Sequence, residues 1–234
     1  MSVELFDSII KQARAIPHPF IISPFKLGEP LLDPLFSRRL VIIDEALPKA
    51  SIELHTNLNH LPEEFIPALS VIKRVSHVWV SLNQRTPETY FDETGLKLDK
   101  TLTHIDKLLA AKLPHKIVIG RVADYTPEDR GWFEWAKERF PGTTCVVMYR
   151  GNWCDNIVAP KVAKVPAGVC PRTYELSICC DGKVALCCMD GLCEYPLGDM
   201  NTESMLTIYN SPKSKAMRQM TTRNITPCNT CTFI

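Results

Sequence analysis

Eight of the ten cysteines in this 234-residue chain fall between Cys170 and Cys231, and the first 144 residues contain none. Cysteines used only to fill a core would be spread over every element, so this clustering marks a chemical site. The run opens CPRTYELSICCDGKVALCC and closes CNTC. Cys228 and Cys231 form a CxxC turn, which aims two thiolates at one ion or cluster. Asp181-Gly182, set between two apolar runs, is a hairpin signal. A two-residue loop there pairs Cys180 with Lys183, Ile178 with Ala185 and Leu176 with Cys187. Neighbouring strand residues point to opposite faces, so Cys187 and Cys188 cannot both serve one centre. Cys170, one member of the 187/188 pair, Cys228 and Cys231 supply four thiolates, a set that suits zinc or an iron–sulfur cluster.

The bland alternative is a set of disulfides. Adjacent cysteines at 179–180 and 187–188 are awkward to oxidise in order. MSVELFDSII at the start has an early Glu and Asp and no basic leader, so nothing marks the chain for export. A zinc ribbon with two knuckles would need a second CxxC, and the sequence has one. Iron–sulfur ligation accepts widely spaced single cysteines and is the expected chemistry. Cys145, Cys154 and Cys193 are expected to lie outside the cluster, with Cys179 and Cys180 dispensable.

The elements that must carry this site can be read upstream. Apolar strands are expected at 20–25, 51–56, 77–82, 116–122 and 144–149. Helices are expected at 4–14, 34–46 and 62–74, then from Thr86-Pro87, along the stripe Leu98, Leu102, Ile105 and Leu109, and from Thr126-Pro127. Five alternations with nearly all-apolar strands imply a parallel sheet covered by helices, an α/β barrel or a doubly wound sheet. Residues 156–169, with two prolines and little periodicity, read as a linker. Functional residues in such sheets follow the C-terminal ends of strands. Those positions hold Gly28-Glu29, Thr56-Asn57, Ser81, Asn83, Arg121 and Arg150. The six histidines are scattered and read as surface or capping residues.

A formal net charge of +1 gives no general attraction to nucleic acid or to an anionic membrane. No apolar run reaches the roughly 18 residues that span a bilayer. A cytoplasmic protein with neither nucleic-acid nor membrane partners is expected.

The cysteine region resembles the SPASM/twitch domain of radical S-adenosylmethionine (SAM) proteins. Cys170, eleven residues, Gly182, four residues and Cys187, followed by Cys228-x-x-Cys231, fit that family's spacing over residues 168–232. The resemblance implies one auxiliary [4Fe–4S] cluster on Cys170, Cys187, Cys228 and Cys231, with Cys188 the alternate to Cys187. KLGEPLLDPLF resembles the radical-SAM segment GGEPLL-x-P, with Leu27 in place of the first Gly. It implies that Gly28, Glu29 and Pro30 bind the amino group of SAM. ELHTNL resembles the third-strand Thr-Asn-Gly segment, through Thr56 and Asn57, with Leu58 in place of Gly. WVSLNQRTPETY resembles the fourth-strand segment, with Ser81 at the SAM ribose or carboxylate and Asn83 where the family has an acid.

The implied architecture is a partial (βα)6 barrel that lacks its first strand, over residues 1–155. The linker 156–169 follows, then a cysteine-rich domain, 170–234, with a β-hairpin and short helices. The implied activity is generation of a 5′-deoxyadenosyl radical from SAM, with an external electron donor and a peptide or protein substrate. The sequence has no CxxxCxxC, the motif that binds the catalytic cluster in this family. Either residues upstream of Met1 supply it, or the chain is a split or decayed member, inactive alone for SAM cleavage. Two alternatives remain: a non-catalytic iron–sulfur electron-transfer or peptide-binding protein, and a zinc-stabilised interaction module.

Overall fold

The structure, a computed structural model, describes residues 1–158 and 164–233; part of the expected linker, 159–163, lies outside the described residues. In chain order the elements are α1 (Val3–Ala13), β1 (Phe20–Ile22), α2 (Phe36–Ala46), β2 (Ala50–Thr56), α3 (Phe65–Val71) and β3 (Val75–Ser81). Then come α4 (Pro87–Thr94), α5 (Leu98–Ala110), β4 (Lys116–Val122), α6 (Pro127–Arg139) and β5 (Thr144–Met148). The cysteine region adds β6 (Ser177–Ile178), β7 (Lys183–Ala185), β8 (Gly198–Asp199), α7 (Met205–Tyr209) and α8 (Pro212–Gln219). The fold class is the expected one: a five-stranded parallel sheet in the order β1-β2-β3-β4-β5, and a small antiparallel sheet, β6-β7-β8.

Residues 18–148 form one compact unit. Along β2, Ala50, Ile52, Leu54 and Thr56 are buried while Ser51, Glu53 and His55 are half-buried, so the two faces of the sheet differ. Leu40, Ile43, Leu69, Ile105 and Trp132, all on helices, are fully buried. Thr86 and Thr126 cap their helices as expected, accepting from the Thr89 and Glu128 amides with Pro at the first helical position. The helix expected over 62–74 stops at Val71. The Asp44 carboxylate accepts the Lys73 and Arg74 amides (3.2 and 2.9 Å) and draws the chain out of the helix. β1 pairs with β2 alone, so its other edge is unpaired among the described residues.

Arg121, placed by position among the functional candidates, is instead structural. Its side chain is fully buried. It donates to Asp129 Oδ1 (2.8 Å), to the Asp124 carboxylate and to the Asn83 carbonyl. Burial pushes the Asp129 pKa upward, but hydrogen bonds from the Asp124 amide, the Arg121 guanidinium and the Tyr125 amide outweigh it. The pKa therefore lies below the ordinary carboxylate value. A carboxylate with a depressed folded pKa stabilises above its unfolded pKa and loses that contribution as pH falls through the folded one. Asp129→Asn should cost about 3 kcal/mol near pH 7, the low end for breaking a buried pair because Asp124 remains. The difference between variant and wild type should shrink below about pH 4. Urea unfolding followed by tryptophan fluorescence at pH 7 and pH 3 checks both; a constant difference would refute the assignment.

The second unit is Met1–Pro17 with Tyr149–Ile234. The reading from sequence joined the first helix to the sheet, but α1 groups with the cysteine region. Leu5 and Ile9 of α1 share a buried cluster with Val184, Met200 and Ile208, and Gln12 Oε1 accepts the Met205 amide at 2.7 Å. A region of some 60 residues buries too little surface to stand easily alone, and α1 supplies the missing apolar face.

The hairpin register also differs from expectation. Ser177 faces Ala185 and Ile178 faces Val184, one residue off the pairing of a two-residue loop. The Cys179 amide donates to the Lys183 carbonyl (2.8 Å), so the loop is Cys180-Asp181-Gly182. Gly182, at φ +97°, takes the left-handed position that closes three-residue hairpins.

Candidate metal centre

Cys170 caps a 3-10 turn, Pro171–Tyr174. Cys187 follows the end of β7, and Cys228 and Cys231 stand in a turn near the C-terminus. All four line one cavity, together with Cys154, Arg172 and Arg223. Leu186, Met189, Met217 and Phe233 supply its apolar walls. Cys188 does not line it. Strand alternation cannot decide between Cys187 and Cys188 here, because β7 ends at Ala185. The fully buried Asp190 organises this stretch instead. Its carboxylate accepts the amides of Leu186 (3.2 Å), Glu194 (2.8 Å) and Tyr195 (3.1 Å) and folds 186–195 into a turn. Cys180 is exposed at the hairpin tip. Cys179 and Cys193 are not among the cavity's residues, and Cys145 lies on β5 in the other unit.

Cys154 was not expected at this site. Trp153, Cys154 and Asp155 are consecutive left-handed residues (φ +49°, +54°, +68°), an uncommon run for side chains with Cβ. Polar stitches hold it against the CxxC turn. Asn152 Nδ2 donates to Asp155 Oδ1 (2.7 Å) and to the Thr230 carbonyl (3.0 Å), and Thr230 Oγ1 donates to Asp155 Oδ2 (2.6 Å). No spacing in the sequence links Cys154 to the other thiols, so only the folded chain reveals it.

The Cys187 pKa is lowered, chiefly by a hydrogen bond from Cys154, with the Asp190 and Met189 amides assisting against burial. The same contact, with burial, pushes Cys154 up. Burial first, and then neighbouring thiols, raise Cys228 to about 11; burial also raises Cys231. Thiols crowded in an apolar cavity resist ionising together unless cationic metal is present. The Nε atoms of Arg172 and Arg223 are buried without a hydrogen-bond partner among the described residues. Orphaned donors of this kind carry a penalty of about 1–3 kcal/mol. A thiolate-ligated cluster, net anionic and bearing acceptor sulfurs, would relieve it, so the residues present fit such a group.

In the other unit the GEP segment meets the end of β2. Glu29 Oε1 accepts from Thr56 Oγ1 (2.6 Å) and from the Leu31 amide (3.0 Å), and Oε2 accepts from the Asn57 amide (2.6 Å). Three of the carboxylate's roughly four acceptor positions are thus filled, leaving one for an ammonium group. Gly28 has φ +81° and Pro30 opens a 3-10 turn. Leu58, where the resembled segment has Gly, keeps a left-handed backbone (φ +55°) while fully buried. Ser81 ends β3 opposite Gly120. Asn83 is committed to the sheet: its Oδ1 accepts the Val122 amide (3.0 Å), and its carbonyl accepts from Arg121. Arg150 lies just past β5.

The family described as "SPASM: Iron-sulfur cluster-binding domain" matches residues 170–232. No curated protein matches the chain by sequence. Among solved structures, BtrN in complex with AdoMet and 2-DOIA is 15% identical with a TM-score of 0.66, covering 100% of this chain and 81% of that one. Native anSMEcpe with bound AdoMet and Kp18Cys peptide is 16% identical with a TM-score of 0.62, covering 93% and 74%. Streptococcus suis SuiB bound to precursor peptide SuiA is 13% identical with a TM-score of 0.69, covering 94% and 60%. At these identities the likeness is one of fold.

Proposed function

We propose that this chain, a SPASM-domain protein with the fold of radical SAM enzymes, holds one auxiliary [4Fe–4S] cluster on Cys170, Cys187, Cys228 and Cys231. The observation that carries this is the convergence of those four cysteines on one cavity with two orphaned arginine donors. When bound, the cluster supplies an electron-transfer site and, in an enzyme complete with CxxxCxxC, accompanies generation of a 5′-deoxyadenosyl radical from SAM.

The chain's own residues do the positioning. Glu29, fixed by Thr56 and the Asn57 amide, would receive the amino group of SAM beside Gly28 and Pro30; Ser81 would line the same pocket, and Asn83, whose side-chain oxygen holds the Val122 amide, would offer it only the side-chain nitrogen. By sequence pattern the chain divides into a partial barrel (1–155), a linker (156–169) and the cluster domain (170–234), with α1 packed in the unit of the cluster domain. A peptide or protein substrate is supported by the peptides in the anSMEcpe and SuiB structures. No helix among the described residues is long and apolar enough to cross a membrane. Ten free cysteines accord with a reducing compartment, the cytoplasm, where an external donor would deliver electrons. The lack of CxxxCxxC in the sequence favours a second reading, a non-catalytic iron–sulfur electron carrier or peptide binder.

Anaerobic reconstitution with iron and sulfide tests the cluster. It should load about four irons per chain and give broad thiolate-to-iron absorption in the visible; a colourless, zinc-loaded protein would refute it. Arg172→Gln and Arg223→Gln should each retain the irons but lower the reduction potential, because hydrogen bonds and positive charge stabilise the more anionic reduced cluster. Redox titration followed by electron paramagnetic resonance measures this, and unchanged potentials would remove the arginines from the site.

A further inference from the structure

The sheet assembles a second donor cluster from residues that look unrelated in sequence. β2 and β3 pair in parallel, with Glu53 opposite His77 and His55 opposite Trp79. Residues two apart on a strand share a face, so Glu53, His55 and His77 project from the same side. One carboxylate oxygen and two imidazole nitrogens lie within 4.8 Å of one another, and all three residues are half-buried. This departs from the reading of all six histidines as surface or capping residues.

Neighbouring contacts prepare these groups. Ser76 Oγ lies 3.2 Å from the Ile52 carbonyl and 3.1 Å from His77 Nδ1. A hydroxyl has one proton. Spent on the carbonyl, it leaves Ser76 to accept from Nδ1–H, which puts the lone pair of His77 on Nε2. Such a partner on the far ring nitrogen is the usual support of a metal-bound histidine. The His55 ring is stacked on Phe25 (centroids 5.1 Å) and Trp79 (6.0 Å) and meets the edge of His77 (6.0 Å). Trp79 in turn lies flat on Gly120, where a Cβ would come within 1.8 Å of the indole.

Glu53 and the His55 ring nitrogens have no hydrogen-bond or ion-pair partner among the described residues. His104 and His115 differ, because their ring nitrogens face backbone carbonyls at 2.8–3.1 Å. Those two are satisfied structural histidines; His55 is packed among aromatic rings with its nitrogens unpartnered among the described residues.

We propose that Glu53, His55 and His77 bind one divalent transition-metal ion of the zinc type, in a site separate from the cysteine cavity. Two imidazoles and a carboxylate suit such borderline ions. Three protein ligands leave a position open for water or an anionic ligand, as in zinc sites that act on substrates.

The test uses the cluster-loaded protein, whose thiolates are occupied, titrated anaerobically with zinc by calorimetry. One equivalent should bind. Zinc X-ray absorption should show only nitrogen and oxygen neighbours at about 2.0–2.1 Å. His77→Ala and Glu53→Gln should lose that equivalent with iron content unchanged. Ser76→Ala should weaken it about tenfold, the low end for removing an outer-shell partner. If a variant fails to fold, the wild-type spectrum still decides. No zinc uptake, or a sulfur shell at about 2.3 Å, overturns the proposal.

Discussion

Alanine at Cys170, Cys187, Cys228 or Cys231 is expected to lower the reconstituted iron well below the roughly four per chain of the wild type, because the proposed cubane then lacks one of its four thiolates. Cys179→Ala, Cys180→Ala, Cys188→Ala and Cys193→Ala should keep it, since none of these residues lines the cavity. Burial also raises the Cys188 pKa to about 11 despite the nearby Arg172, which disfavours its thiolate. Cys154→Ala should keep the irons as well, because four thiolates remain. Iron and sulfide analysis after anaerobic reconstitution reads all of these. Iron lost in Cys188→Ala but kept in Cys187→Ala would reverse the choice within that pair. Iron lost in Cys154→Ala would make Cys154 a ligand in place of one of the four.

The 234-residue chain, incubated anaerobically with SAM and dithionite, is expected to release no 5′-deoxyadenosine above a protein-free control. Reductive cleavage of SAM needs an iron with an open coordination position. The sequence has no CxxxCxxC to hold such a cluster, and the four thiolates proposed for the cysteine cavity would cap every iron of a cubane. Weak SAM binding is still expected, and Glu29→Ala should abolish it, because that removes the acceptor to which Thr56 and the Asn57 amide are locked. Equilibrium dialysis with labelled SAM measures the binding. Turnover by this chain would reveal an open iron and so contradict the four-cysteine assignment. A chain that carries CxxxCxxC ahead of Met1 should gain the activity. If it stays inactive with both clusters loaded, the non-catalytic reading replaces the enzyme.

Features of short reach were legible in the sequence. The CxxC turn, the Cys170–Gly182–Cys187 spacing, the Thr-Pro helix starts and five apolar strands all depend on groups a few residues apart. Their geometry follows from backbone hydrogen bonding and side-chain periodicity. The parallel sheet followed from the same evidence, because strands alternating with helices along the chain pair in parallel beneath those helices.

What the tertiary structure decided depends on groups far apart in the chain. Cys187 lines the cavity and Cys188 does not, in a turn past the end of β7 that the Asp190 carboxylate holds through the Leu186 and Tyr195 amides. The 152–155 turn delivers Cys154 because Asp155 is tied to Thr230, 75 residues away. α1 joins the cysteine unit because Leu5 and Ile9 find their apolar partners there. Arg121 is drawn inside by two carboxylates. Glu53, His55 and His77 meet only because β2 and β3 pair in one register, and a slip of one residue would turn His77 to the opposite face. Spacing sets which groups a turn presents, whereas burial and register between distant segments set which turns and faces meet.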